Sequence, residues 1–420
     1  MKETNALGRT VGNSRGLDDF LEPGDRRQGR AGLISSSDVG SANRNRVVQA
    51  LFDLGPTSRA ELARHADVNR STMTGILQPL LDKGLLVEGE PLPANNVGGK
   101  PARPLWFAAD AKPLCGVLLM HDGVRAALVS MDGRIRAENW LPFDSCDVPQ
   151  SELLKIIFKC VQATLKRAGR APFGIGVAVA GMVDTDSGSI VDNAMTPGLG
   201  GLRIRDEVQG RFGLPTFVDH HPRALLLGDR WFGAGRGKNS FAVLYVTKGI
   251  GSALFLNGRV LRGPKGTGGE LGHTRVHVGG ALCHCGQRGC LETIATLGWL
   301  RREAGSVGLS NADKLDFRLL TDLVSGGSSD ADLLLRKFAR NLAYGIANLQ
   351  QIVAPGMFIL HGDIAAGGQT LLDAIAREVN DLLPWHPGAA LELVLGDAGY
   401  LAGMRGAAGL VLAEMLQIAT

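Results

Sequence analysis

The sequence predicts an α/β chain in which a winged helix-turn-helix module precedes a larger body of two α/β lobes around a cleft. Three observations carry this. Apolar residues recur at helical spacing in three short segments between positions 43 and 81. A glycine-rich, basic turn then separates two short apolar stretches near 85–107. From Pro113 onward, hairpin strands followed by crossover helices occur twice over.

At 420 residues the chain exceeds a single compact core. With 45% hydrophobic and 20% charged residues it has the balance of an ordinary globular protein. No apolar run is long enough to span a bilayer, and the N-terminus lacks the apolar core of a signal peptide, so a cytoplasmic protein is expected. A net charge of +4 is a weak pointer to nucleic acid.

Residues 1–39 mix Gly, Arg, Asp and Ser without periodicity and read as a disordered arm. Val47, Val48, Leu51 and Phe52 then set the inner face of a helix over Asn43–Leu54, which Gly55-Pro56 ends. Ser58 and Glu61 form a capping-box pattern for a second helix whose inner face carries Leu62, Ala63 and Ala66. Asp67, a residue that tolerates left-handed backbone, makes the turn, and Asn69 caps a third helix with Met73, Ile76, Leu77, Leu80 and Leu81 inside. Pro79 predicts a kink or early end near Gly75–Gln78, at a cost of about 3 kcal/mol in a helix interior.

Short helices with a tight turn between the second and third make a helix-turn-helix, so the chain is expected to bind a double-stranded DNA operator. Arg70, Ser71, Thr72 and Thr74 face outward at the start of the third helix, where base edges and phosphates are met, with Arg59 beside them. Leu85–Glu88 and Trp106-Phe107 predict a hairpin wing, with Lys100 and Arg103 in its basic turn. The bland alternative is a helical packing module followed by a loop.

Domain limits follow: 40–107 for the DNA-binding module, 108–225 for a first lobe completed by a C-terminal helix within 396–420, and 226–395 for a second lobe. Strands are expected at 115–120, 124–130, 173–180, 216–218, 241–246, 252–256 and 357–360. Helices are expected at 151–168, 202–212, 222–232, 290–304, 331–353, 369–382 and 401–416.

Of six cysteines, Cys115, Cys146 and Cys160 lie scattered and read as buried thiols. His273, Cys283, Cys285 and Cys290 fall within 18 positions, and one imidazole with three thiolates closes a tetrahedral Zn2+ site that leaves no place for a catalytic water. His284 is the alternative to His273 as the nitrogen ligand.

The run Gly268-Gly269-Glu270-Leu271-Gly272-His273, followed by CxCGxxGCxE at 283–292, resembles the hallmark of the ROK family of repressors, open reading frames and kinases. Ser58–Arg64 and Arg70-Ser71-Thr72 are similar to the DNA-binding module of its repressor branch. The resemblance covers residues 43 to 420 and implies an actin-like, ribonuclease-H-like fold. It also implies a sugar held by Glu270, His273 and Glu292, with Gly181 and Asn193 as further candidates, and a homodimer or homotetramer.

Three departures separate a sensor from an enzyme. Where family kinases carry DxGGT, this chain aligns Leu118, Met120, His121 and Asp122; Lys248 replaces the key threonine of the second phosphate loop; and His221 stands where the catalytic aspartate belongs. An apolar side chain cannot orient Mg²⁺, and a carboxylate repels phosphate. The expectation is a catalytically degenerate kinase domain serving a sugar-responsive transcriptional regulator, with His221 available to a sugar hydroxyl. An active sugar kinase and a repressor sensing a non-sugar effector are the alternatives.

Overall fold

The computed structural model describes residues 36–82, 84–91, 103–108, 111–143, 148–193, 195–383, 391–397 and 399–415. Lys100, Cys146 and the arm up to residue 35 lie outside them.

The N-terminal module comprises α1 (Ser36–Leu54), β1 (Thr57–Ser58), α2 (Arg59–His65), α3 (Arg70–Asp82), β2 (Leu86–Glu88) and β3 (Pro104–Phe107). Helix α1 starts seven residues before the expected Asn43, inside what was read as the arm. Ser58 caps α2 by accepting the Glu61 amide at 3.2 Å, while the Glu61 carboxylate takes the Thr57 hydroxyl. Asp67 adopts φ +52°, the left-handed turn expected of it. Asn69 accepts the Thr72 amide at 2.8 Å and so starts α3. The early end expected near Pro79 does not occur: α3 continues to Asp82. Pro79 is exposed in the final turns, and Leu77 and Leu80 on either side are buried, so packing outweighs one lost hydrogen bond. The wing is a three-stranded sheet in the order β1-β3-β2, with Leu86 opposite Phe107.

The first lobe holds β4 (Leu114–Met120), β5 (Gly123–Val129), β6 (Ile135–Pro142), α4 (Gln150–Leu165), β7 (Ile175–Val179), β8 (Met182–Asp184), β9 (Ser189–Asp192), α5 (Ile204–Phe212), β10 (Thr216–His220) and α6 (His221–Phe232). The second holds β11 (Phe241–Val246), β12 (Ile250–Leu256), β13 (Arg259–Val260), α7 (Leu297–Ser306), α8 (Phe317–Ser325), α9 (Ser329–Val353), β14 (Met357–His361), α10 (Gly368–Leu382) and β15 (Glu392–Leu395). Helix α11 (Tyr400–Met415) closes the chain.

Each lobe is built on a five-stranded sheet, β10-β7-β4-β5-β6 and β13-β12-β11-β14-β15. In both, an antiparallel three-strand meander is followed by two parallel strands, so one topology is used twice. Helix α11 returns to the first sheet, where a Cβ at Gly176 would lie 1.8 Å from the Ala407 carbonyl oxygen. Only glycine allows that approach.

Two expected boundaries need correction. Helix α6 runs unbroken through 225/226, because it is buried around its whole circumference there, from Ala224 through Leu227 and on to Trp231. The helix expected over 290–304 begins only at Leu297, capped by Thr296 accepting the Trp299 amide; the preceding Leu291–Thr293 is a tight 3-10 turn. Strands β6, β8, β9, β13 and β15 and helix α8 had no counterpart in the sequence reading.

The cores of the N-terminal module and of α6 are continuous. Phe52 of α1 is 1% exposed and packs on Phe107 of the wing at 4.6 Å and on Trp231 of α6 at 5.1 Å between ring centroids. Burying a side chain of that size contributes about 2–3 kcal/mol.

Candidate functional site

The Cys/His segment folds back on itself through two left-handed glycines. Gly286 has φ +81° and Gly289 φ +77°, and a Cβ at Gly289 would lie 1.8 Å from the His277 carbonyl oxygen. This brings His273, Cys283, Cys285 and Cys290 together, with one donor atom from each lying within 4.8 Å of all the others. Cys285 and Cys290 sulfurs are 3.7 Å apart, and Cys283 sulfur is 3.6 Å from His273 Nδ1. A tetrahedral ion with Zn–S near 2.3 Å and Zn–N near 2.0–2.1 Å has edges of roughly 3.8 and 3.5 Å, so the donor set fits such an ion. Burial pushes the Cys283 thiol up to about 12, so three thiolates here call for a cation's charge. His284 also reaches toward the cysteines: its Nδ1 lies 3.9 Å from Cys283 Sγ and 2.7 Å from Glu292 Oε1, and its ring meets that of His273 edge-on.

Glu292, two residues after Cys290, is held at both oxygens, Oε2 by the Ile250 amide at 2.9 Å and Oε1 by His284. His273, His284 and Glu292 share one small region within 4.8 Å. Glu270 sits at the head of the turn containing His273, its carbonyl accepting the His273 amide at 3.1 Å, and is exposed, with no side-chain hydrogen bond or ion pair among the described residues. Gly181 lies against Asn193, whose amide nitrogen donates to the Ala180 carbonyl and whose amide oxygen accepts from the Thr196 N–H. Asn193 is therefore engaged in fixing its turn.

His221 starts α6 and is buried, its ring edge-on to Tyr245 at 4.5 Å and its Nε2 against Gly403 of α11. Burial first, and then the neighbouring histidines, push it down to about 3, so the imidazole is neutral. An expectation that it presents itself openly to a hydroxyl is not met by this placement.

Behind this region lies a network the sequence did not disclose. Asp219 on β10 is 1% exposed and takes Arg223 Nε on one oxygen at 2.5 Å and Arg262 Nε on the other at 2.8 Å. Burial opposes its ionisation, yet the two guanidinium groups hold its carboxyl below the usual range. Arg262 is 43 residues from Asp219, and nothing in the local pattern marks such a pair. A second unforeseen pair, His361 of β14 and Asp229 of α6 at 2.7 Å, ties the lobes together.

The ROK family model matches residues 116–414, well over half of the chain. The chain belongs to the ROK family. Among curated relatives, this ROK protein is 25% identical to the xylose repressor of Caldicellulosiruptor bescii over 353 residues, covering 80% of this chain and 87% of the relative. It is 27% identical to the N-acetylglucosamine repressor of Escherichia coli over 362 residues, 84% and 88% of the two chains. Among solved structures, a ROK family transcriptional regulator, homologous to the E. coli MLC protein, superposes with a TM-score of 0.73 at 24% identity, covering 90% of this chain and 99% of that one. The ROK hexokinase of Thermus thermophilus gives 0.61 at 29% identity, covering 71% and 97%. The two-lobed actin-like fold is thereby shared with both regulators and kinases of the family.

In this ROK protein the turn between β4 and β5 closes on itself. Leu118 and Met120 are buried in β4, and Asp122 accepts both terminal nitrogens of Arg125 and the Tyr400 hydroxyl. The Arg125 guanidinium stacks over the Tyr400 ring at 3.4 Å.

On the N-terminal module, Arg70 opens α3, Ser71 and Thr74 are exposed and Thr72 is half-buried. The Ser71 hydroxyl donates to Asn69. Arg103 is exposed at the start of β3. Arg59 differs from expectation: its guanidinium is paired with Glu88 on β2 at 2.7–2.9 Å, bracing α2 against the wing. Among the described residues no helix is long and apolar enough to cross a membrane.

Proposed function

We propose that this ROK protein is a sugar-responsive, DNA-binding transcriptional repressor whose kinase-like lobes have lost phosphate transfer. The observation that carries it is the continuity of α6. The helix starts at His221, beside the ligand region, and two turns later Arg230 and Trp231 grip α1 of the winged helix-turn-helix. A change of lobe angle that moves α6 thus reaches the DNA-binding module without an intervening linker.

Support for lost catalysis comes from three places. Leu118 and Met120 give a magnesium ion no oxygen ligand, and Asp122 places a carboxylate where phosphate would sit. Lys248 replaces a hydroxyl in the second loop. His221, in place of an aspartate, is buried against Tyr245 and Gly403. The named repressors among its relatives point the same way.

In this reading Glu270 and Glu292 accept hydrogen bonds from vicinal sugar hydroxyls, with His273 between them and Gly181, Asn193 and His221 bordering the site. His273, Cys283, Cys285 and Cys290 hold a structural zinc ion that fixes this loop; its chemistry is to neutralise the thiolates and close the fold. Ser71, Thr72 and Thr74, with Arg70, Lys100 and Arg103, meet the operator. Two copies in a homodimer or tetramer place two winged helices on two half-sites, and sugar closure alters their spacing and releases DNA. Such a regulator works in the cytoplasm.

The test is selection of genomic fragments by the full-length protein with and without a panel of sugars. Fragments enriched by the native chain, lost on Thr72→Asp and released by one sugar, bear out the reading. Equal recovery by native and Thr72→Asp protein at moderate salt, where nonspecific binding weakens, refutes it.

A further inference from the structure

Three chain segments that carry the ligand candidates converge on one side chain. Arg223 Nη1 donates to the carbonyls of Gly266 and Gly268 at 3.1 and 3.3 Å, two residues short of Glu270. Its Nε bonds Asp219, two residues before His221. A Cβ at Gly266 would lie 3.1 Å from Arg223 Nη2 and 2.5 Å from the carbonyl oxygen of Val183, two residues after Gly181.

The charges there do not balance. Asp219 carries one negative charge and is shared by two guanidinium groups. Asp219 Oδ1 takes Arg223 Nε and the His220 amide, and Oδ2 takes Arg262 Nε, while Arg223 Nη2 and Arg262 Nη1 stay buried without a hydrogen-bond partner among the described residues. Buried donors of this kind are rare in folded proteins, and a charged one is costlier than a neutral one. Arg223 is 1% exposed, whereas the Arg262 side chain keeps 12% of its surface open. Arg262 also begins the loop that ends at Glu270. Glu270 itself, exposed and unpaired, offers acceptors for neutral hydroxyls on the same loop.

We propose that the effector is an acidic sugar, whose carboxylate or phosphoryl group is met by Arg262 while its hydroxyls are met by Glu270. Arg223 acts as a positioning residue: it holds the 266–268 backbone and, through Asp219, the orientation of Arg262. The guanidinium fork pairs with the oxygens of either anion, so the two sources share one chemistry. The inference rests on the sugar-sensing reading given above and adds the charge class of the ligand. A neutral sugar would leave the excess positive charge of Arg223 and Arg262 over Asp219 uncompensated.

The experiment is isothermal titration of the full-length protein with matched sets: a neutral hexose, its uronate and its 6-phosphate, for glucose, galactose and mannose. The expected result is that one acidic member binds at least about tenfold tighter than its neutral parent, as charge-assisted hydrogen bonds predict. Which acidic member binds distinguishes carboxylate from phosphoryl. Arg262→Gln is expected to erase that preference and Arg262→Lys to restore part of it, which a merely structural Arg262 would not do. Equal or tighter binding of the neutral hexose overturns the inference and leaves sugar sensing standing. Absence of binding by every member overturns both for these hexoses, and a preference that survives Arg262→Gln overturns the assignment to Arg262.

Discussion

Asp53 of the DNA-binding module and Arg230 of α6 form a two-pronged ion pair, at 2.5 and 3.0 Å, with side chains 12% and 3% exposed. Asp53 Oδ1 also accepts the Gly237 amide. Breaking such a pair leaves a buried guanidinium without its anion, which costs about 3–5 kcal/mol. Asp53→Asn is therefore expected to lower stability by about 3 kcal/mol in denaturant unfolding. Under the proposed function it also uncouples DNA affinity from effector while leaving effector affinity itself within about twofold. A double-mutant cycle with Arg230→Met checks the pair; additive losses would show that the two residues act separately.

Removal of the loop ion is the second expectation. Cys290 is fully buried, so Cys290→Ser deprives the donor set of an inner ligand, and 1,10-phenanthroline or EDTA does the same from outside. Both are expected to release about one equivalent of zinc per chain and to lower the melting temperature. A stoichiometric metal content that persists in Cys290→Ser would contradict the four-ligand assignment. His284→Ala separates the two nitrogen candidates: it is expected to retain the metal, because His273 completes the donor set with the three cysteines, whereas His284 Nδ1 lies 2.7 Å from Glu292 Oε1 and 3.9 Å from Cys283 Sγ.

The legible parts of this molecule were those in which local chemistry settles the outcome. Ser58, Asp67 and Asn69 behave as their side chains dictate, because caps and left-handed turns involve residues only a few positions apart. The cysteine spacing was legible for the same reason. What escaped was long-range. Pro79 reads as a breaker, but the burial of Leu77 and Leu80 overrides it. Strand β6 carries exposed alternate residues and Trp140 at its surface, so its pattern lacks the apolar run of β4. Arg59, expected on DNA, is paired with Glu88, and Asp219 finds Arg262 across 43 positions. Ion pairs of that span have no period or spacing to read.

His221 gives a pH dependence with a definite sign. Burial holds it near 3 in the fold, against 6.5 for an exposed imidazole. Between these values the unfolded chain binds the proton and the folded chain does not, so stability is complete above about pH 6.5 and falls as acid is added. The slope from this one group is about 1.4 kcal/mol per pH unit. His221→Gln is expected to flatten the stability curve between pH 6 and 4, as followed by urea unfolding at each pH. An unchanged slope would mean that His221 already titrates normally in the folded state.

The recognition helix yields the last expectation. Thr72 and Thr74 project from the first turns of α3 behind the Asn69 cap, where side chains of a groove-bound helix meet base edges. Thr74→Val keeps the shape and removes the hydroxyl, so it is expected to cost about 1–3 kcal/mol at a selected operator and to leave the salt dependence unchanged. Arg103→Ala, at the base of the wing, is expected to do the reverse: a uniform loss across sequences and a salt slope lower by about 1. Binding isotherms at several salt concentrations on the selected fragment and on a scrambled one distinguish the two. If Arg103→Ala alters sequence preference while Thr74→Val alters only the salt slope, the wing rather than α3 is the reading element, and the docking orientation proposed for this module is reversed.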